Sequence, residues 1–162
     1  MTGHKVYARH SGVKKDDMLS VGLIKRVVRE TLRLEGVDKP CEVSVLITNE
    51  RKIRGINREF RGQDAPTDVL SFPMLELSKP GWSDPGEGAV DPGTCLIPLG
   101  EIVLSAERVV IQAREYMQTR ERETAYLTVH SVLHLLGYDH VDEASGKRRM
   151  REREKLIMET IG

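Results

Sequence analysis

Cysteine is nearly absent: the 162 residues hold Cys41 and Cys95 alone, too few for a disulfide framework. Cys41 opens a strand-like run and Cys95 sits in a loop rich in Pro and Gly, the setting of free thiols in a reducing cytoplasm rather than of metal ligands. No apolar run approaches membrane-spanning length. The opening Met1-Thr2-Gly3-His4-Lys5 lacks the apolar segment of a secretory signal, so a cytoplasmic location is expected. An excess of charge of either sign is missing too, since 25 basic and 25 acidic residues cancel. The chain therefore offers no global electrostatic pull on a polyanion. Charge is uneven locally: Lys147 to Lys155 holds six basic and two acidic residues, which on composition reads as a solvated helix face.

What is present suits a single globular domain over residues 1–162, with 39% hydrophobic and 31% charged residues. Lys5 to Arg9 reads as a short edge strand. Met18 to Glu35 reads as a helix, with Val21, Ile24, Val28 and Leu32 at helical spacing and Gly36 as its stop. Cys41 to Thr48 alternates like a strand. Asn49 is placed to cap a helix through Arg58 or Phe60, with Ile53, Ile56 and Phe60 on its inner face. Val69 to Phe72 reads as a strand that ends, or runs at an edge, at Pro73. Pro80 to Gly93 reads as a long surface loop carrying the sole tryptophan, Trp82. Gly100 to Leu104 forms a further strand. Ser105 then caps a helix whose stripe is Ala106, Val109, Val110, Ala113, Tyr116 and Met117. A charged break near Arg120 to Glu123 precedes a helix from about Thr124 to Leu136, and a last helix spans about Asp142 to Ile161, with Met150, Ile157 and Ile161 inward. The expected fold is α+β: a small mixed β-sheet packed against several helices, with the Thr124 to Leu136 helix central.

That central helix carries the chemistry. His130 and His134 lie four residues apart, which on an α-helix sets both rings on one face. Gly137 can end the helix in a left-handed conformation and turn the chain back, bringing His140 towards the same point. Three neutral imidazoles around one cation leave one position for water, the arrangement of a catalytic rather than a structural zinc. Two buried histidines on a helix rich in Val and Leu also need partners, and a metal supplies one. The spacing His-x3-His-x2-Gly-x2-His is that of the metzincin peptidases as well. Those enzymes place a general-base Glu immediately after the first His, where this chain has Ser131. A serine hydroxyl accepts no proton near neutral pH without a base of its own.

Three segments, in this order, resemble the YbeY family of bacterial rRNA-maturation endoribonucleases. They are Arg61-Gly62 with Pro66-Thr67-Asp68-Val69-Leu70-Ser71-Phe72-Pro73, then Gly100-Glu101-Ile102, then the His130 to His140 pattern. The resemblance covers about Val43 to Ile161. It implies a zinc-dependent, single-strand-specific endoribonuclease acting in rRNA 3′-end maturation and in quality control of the small ribosomal subunit. Its implied partners are precursor rRNA, the small subunit and that subunit's assembly factors. It implies His130, His134 and His140 as ligands of one zinc ion, and a basic cleft residue at Arg61. The acidic position after the strand glycine is usually Asp in the family and is Glu101 here.

The residues allow that chemistry. A guanidinium at Arg61 offers paired donors to phosphate oxygens, and Gly62 lets backbone approach a ligand. The plainer reading of Arg61 is a surface arginine on loop carbonyls. Asp139 either orients a ligand imidazole or shapes the turn, and Thr67 with Asp68 either caps a loop or rims the cleft. Two other functions remain open at this level. One is a metallopeptidase or small-molecule hydrolase that borrows a carboxylate such as Glu101. The other is a non-catalytic assembly factor whose zinc only stabilises the fold.

Overall fold

The computed structural model describes residues 3–138 and 144–162. Four strands form one sheet in the order β1 (Lys5–His10), β2 (Cys41–Thr48), β4 (Ile97–Ser105), β3 (Val69–Pro73). β1, β2 and β4 run parallel, and β3 lies antiparallel on β4 at the edge. Pro73 is thus tolerated where it falls, as the last residue of an edge strand. Around the sheet stand α1 (Val21–Leu34), α2 (Glu50–Arg61), α3 (Ala106–Glu115), α4 (Arg120–Leu135) and α5 (Ala144–Ile161).

Strand alternation sorts the core into two faces. Cys41, Val43, Val45 and Ile47 of β2 and Ile102 and Leu104 of β4 join one large buried cluster with α1 and α4. The opposite face carries Leu70 and Val103, which pack on Ile53 of α2. α4 is the hub, touching α1, α3, α5, β3 and β4. Val129, Val132, Leu133, Leu135 and Leu136 are all at most 1% exposed. At roughly 1.5–3 kcal/mol per large apolar side chain buried, this segment is a principal source of stability. The α+β architecture with a central histidine-bearing helix is the expected one.

Local chemistry explains most boundaries. Ser20, Asn49, Ser105 and Thr119 each accept a backbone N–H three residues on, capping α1, α2, α3 and α4. Three expectations need correction. Thr119 starts α4 at Arg120, so Arg120 to Glu123 is its first turn and not a break, and Glu123 is buried. α3 ends at Glu115, which leaves Tyr116 and Met117 off the stripe at 63% and 93% exposed. Phe60 is 65% exposed and meets Phe72 edge-on instead of lying inward. Gly62 takes φ +68° as the stop of α2, a left-handed helix end that glycine adopts readily. The Pro80 to Gly93 loop includes a single 3₁₀ turn at Glu87–Ala89. The loop is pinned: Gly81 N–H donates to the Leu136 carbonyl, and Trp82 Nε1–H donates to Asp38 Oδ1 at 2.9 Å.

Gly100 is the point where the sheet meets α4. Its φ is +147°, and a Cβ there would stand 2.3 Å from the Phe72 carbonyl oxygen and 2.8 Å from Leu135 Cδ2. The missing side chain lets α4 press onto β4 and β3 beside His134. Gly100→Ala combines a disfavoured backbone with a clash on backbone atoms, so it is expected to cost about 2–4 kcal/mol. Thermal melting should show a fall in Tm of about 5–15 °C.

Two histidines outside α4 serve as acceptors. His4 Nδ1 accepts Cys41 N–H at 3.1 Å, and His10 Nε2 accepts Leu19 N–H at 3.0 Å. Burial holds both below the ordinary value of 6.5. A base with a depressed folded pKa stabilises the native state above its unfolded pKa and loses that contribution as pH falls through the folded value. Stability measured by denaturant unfolding should therefore decline as pH falls below 6.5. The His10→Asn variant should show a shallower decline.

Candidate active site

Nearly every side of α4 is buried, and the exception is a stripe. Tyr126, His130 and His134 recur every four residues and keep partial exposure, while Leu127, Val129, Ser131, Val132 and Leu133 are buried between them. The two imidazoles meet nearly perpendicular, 82° between planes, with centroids 4.6 Å apart and Nε2 atoms 3.2 Å apart.

Each ring is held from behind. His130 Nδ1 lies 2.6 Å from Glu154 Oε2, a buried carboxylate on α5. His134 Nδ1 lies 2.9 Å from the Tyr138 carbonyl oxygen. Both partners accept, so the hydrogen-bond network assigns the protons to the Nδ1 atoms and leaves the Nε2 lone pairs facing the cleft. Carboxylate or carbonyl behind an imidazole is the usual outer support of a metal-ligating histidine.

The donor set fits a metal ion on distance as well. A tetrahedral zinc at about 2.0–2.1 Å from each nitrogen separates two such ligands by about 3.3 Å, close to the 3.2 Å found. A hydrogen bond between the two Nε2 atoms would require one ring to carry a positive charge, whereas a shared cation lets both stay neutral. Among the described residues, no group of three or more His, Cys, Asp or Glu side chains is gathered to hold an ion. His140 and Asp139 lie outside the described residues.

The turn after α4 is built as glycine there suggests. Gly137 adopts φ +91°, its N–H donates to the His134 carbonyl, and Tyr138 N–H donates to the Leu133 carbonyl. This pair of bonds is a Schellman closure, which turns the chain at the residue whose carbonyl supports His134. Tyr138 is itself fixed: its hydroxyl donates to Glu35 Oε1 at 2.7 Å, and Arg153 Nε donates to Glu35 Oε2 at 2.6 Å. Burial, then the Glu35 contact, pushes the Tyr138 phenol up to about 12, so at neutral pH it stays a donor. Burial and the Glu154 charge likewise push Tyr126 up to about 12.

His130, His134 and Arg61 line one cleft of about 560 Å³, with Thr67, Asp68, Ser71 and Tyr138 among its walls. Arg61 is the last residue of α2, exposed, with Nη2 3.4 Å from the Ser71 carbonyl oxygen. So long a bond restrains the guanidinium weakly. Thr67 and Asp68 answer both readings at once: they line the cleft, and Asp68 also accepts Val69 N–H on Oδ1 and Gln112 Nε2–H on Oδ2.

Glu101 is elsewhere. It pairs with Phe72 across β3 and β4 and lines a separate concavity of about 640 Å³ on the other face of the sheet. Its neighbour Ile102 pairs with Ser71, a cleft residue, and the two-residue period of a strand then turns Glu101 away. Ser131 is fully buried. Glu101, the carboxylate that a peptidase reading would borrow, does not line this cleft. Cys41 is buried with its thiol pushed up to about 12 by burial and Asp38, and Cys95 is exposed; both are free.

The contribution that sequence reasoning missed is Glu154. Its signal was available: it lies four residues after Met150 and three before Ile157, an acidic residue on the inward line of α5.

The chain also has clear relatives among known proteins. The family model for Endoribonuclease YbeY matches residues 8–162. The chain is 46% identical over 144 residues to Endoribonuclease YbeY of Roseiflexus castenholzii, covering 86% of this chain and 82% of that protein. It is 42% identical over 151 residues to Endoribonuclease YbeY of Chloroflexus aggregans, covering 91% and 92%. The solution structure of TM1509 from Thermotoga maritima superposes with a TM-score of 0.58 at 29% identity, covering 94% of this chain and 87% of that one. The sequence motifs, the fold and these relatives converge: the chain belongs to the YbeY family of endoribonucleases.

Proposed function

We propose that this endoribonuclease cuts single-stranded RNA in the cleft between α4 and the end of α2, with one zinc ion held by His130, His134 and His140. The observation that carries the reading is the support behind two of these imidazoles, Glu154 on His130 and the Tyr138 carbonyl on His134. Such an ion, when bound, lowers the pKa of water to near 7 and polarises a phosphoryl oxygen. The chain's own groups do the rest. Glu154 and the Tyr138 carbonyl keep the Nδ1 protons in place, so the Nε2 lone pairs stay directed at the cleft. Arg61, weakly tethered at the rim, is free to swing its paired N–H donors onto the non-bridging oxygens of the scissile phosphate as they gain charge.

The natural substrate in this reading is precursor rRNA, cut in 3′-end maturation and in quality control of the small subunit. The whole chain, 1–162, acts as one catalytic domain. No helix among the described residues is long and apolar enough to cross a membrane, which suits an enzyme meeting ribosomal RNA.

The expected result for His134→Ala is loss of bound zinc by elemental analysis and a fall in RNA cleavage of at least about a hundredfold. Retained metal and activity would remove the histidine site. Glu154→Gln keeps the ligands but weakens the support, and metal titration should give an affinity about 10–100-fold lower. Arg61→Ala should keep its metal while kcat drops about a hundredfold, with Arg61→Lys recovering only part. A full rate in Arg61→Ala would return Arg61 to an ordinary surface residue. End-group analysis of the product separates the two chemistries. A 2′,3′-cyclic phosphate means attack by the RNA's own hydroxyl, and its absence under rapid quench means attack by water.

A further inference from the structure

The basic run that composition alone assigns to a solvated helix face is joined to the active site. His130 lines the main cleft and also a second groove of about 220 Å³, whose other walls include Tyr126, Lys147 and Arg151. Lys147 and Arg151 in turn line a shallower groove of about 400 Å³ with Arg148, Glu152 and Lys155. Lys147, Arg151 and Lys155 repeat every four residues along α5, so they share one face at steps of about 6 Å.

Charge is segregated along this helix. Glu154 also lines the inner groove, its carboxylate engaged by His130 and Tyr126, and Arg153 is turned onto Glu35. Only Glu152 puts an acid among the cations lining the outer groove. A chain with no net charge therefore carries a strip of cations leading directly away from its catalytic histidines.

We propose that this strip seats the phosphates of the single-stranded RNA flanking the cleaved bond, on one side of it. The strand leaves the cleft past His130, lays a base on the half-exposed ring of Tyr126, and follows Lys147, Arg151 and Lys155 along α5. Tyr126 has the required position, its ring centroid 6.2 Å from that of His130 and tilted by 32°. Stacking on an aromatic face and phosphate contacts from lysine and arginine are the two sequence-tolerant ways to hold a single strand. Continuity with a cleft that acts on RNA favours RNA over an acidic protein as the occupant. The proposal rests on the endoribonuclease reading of that cleft.

The test is Lys147→Gln/Arg151→Gln/Lys155→Gln in the full chain, against a labelled single-stranded RNA of about twelve nucleotides, long enough to span cleft and strip. Anisotropy titrations across a salt series should show the slope of log affinity against log salt reduced by about 2, near 0.7 per lost phosphate contact. The KM for this RNA should rise about tenfold or more with kcat little changed. A trinucleotide too short to reach α5 should be cut at the wild-type rate. Removing the same charge elsewhere, with Arg26→Gln/Arg29→Gln/Lys39→Gln, should leave both readouts alone, and Lys147→Arg/Lys155→Arg should behave as wild type. The single variant Lys155→Gln, at an exposed position, should reduce the slope by about 0.7. An unchanged slope, or equal losses on short and long RNA, overturns the proposal, as would unaltered RNA binding beside lost binding of an acidic protein. Failure of the wild-type protein to cut either RNA would instead strike the endoribonuclease reading beneath it.

Discussion

Two imidazoles on successive turns of a buried helix point the same way only if something holds each inner nitrogen. Here those holds are the Glu154 carboxylate and the Tyr138 carbonyl, and the rest of the structure can be read as what brings them within reach. The carbonyl arrives because Gly137 closes α4 in a left-handed turn. The carboxylate arrives because α5 packs back along α4 with Met150 and Ile157 buried on either side of Glu154. Remove either arrangement and the Nε2 atoms lose their common direction.

The same economy governs how the cleft is assembled. α4 supplies the histidines, and its other sides are consumed by the core, leaving one stripe accessible. Gly100 allows the sheet to approach that helix without a side chain in between, which sets Ser71 and its neighbours on β3 against the histidines. α2 ends at Gly62 and so delivers Arg61 to the rim. The histidines share one cleft with the Arg61 guanidinium, and His130 also lines the groove beside Lys147 and Arg151 of α5.

Much of this was legible because it is local. Caps at Ser105 and Asn49, the alternation of Cys41 to Thr48, and the glycine stop at Gly36 each depend on a few adjacent residues. Helix ends were less legible where two signals competed. Arg120 to Glu123 looks polar, yet Thr119 caps it and Glu123 turns inward, its carboxyl pushed up by burial. Tyr116 and Met117 continue the apolar stripe of α3 in sequence, but the helix stops first, with Met117 at φ +54°.

The sequence by itself determined that two imidazoles share a helix face, that a glycine turn follows them, and that the chain makes a mixed α+β sheet domain. Those properties follow from periodicity and from backbone preference within a few residues. Only the tertiary structure decided that Glu154, 24 residues from His130, stands behind it. It likewise decided that Arg61 reaches the histidine cleft while Glu101 faces away, and that the basic face of α5 abuts the histidine helix. Such contacts join residues far apart in the chain, and they exist only once the packing of helix on sheet has chosen which faces meet.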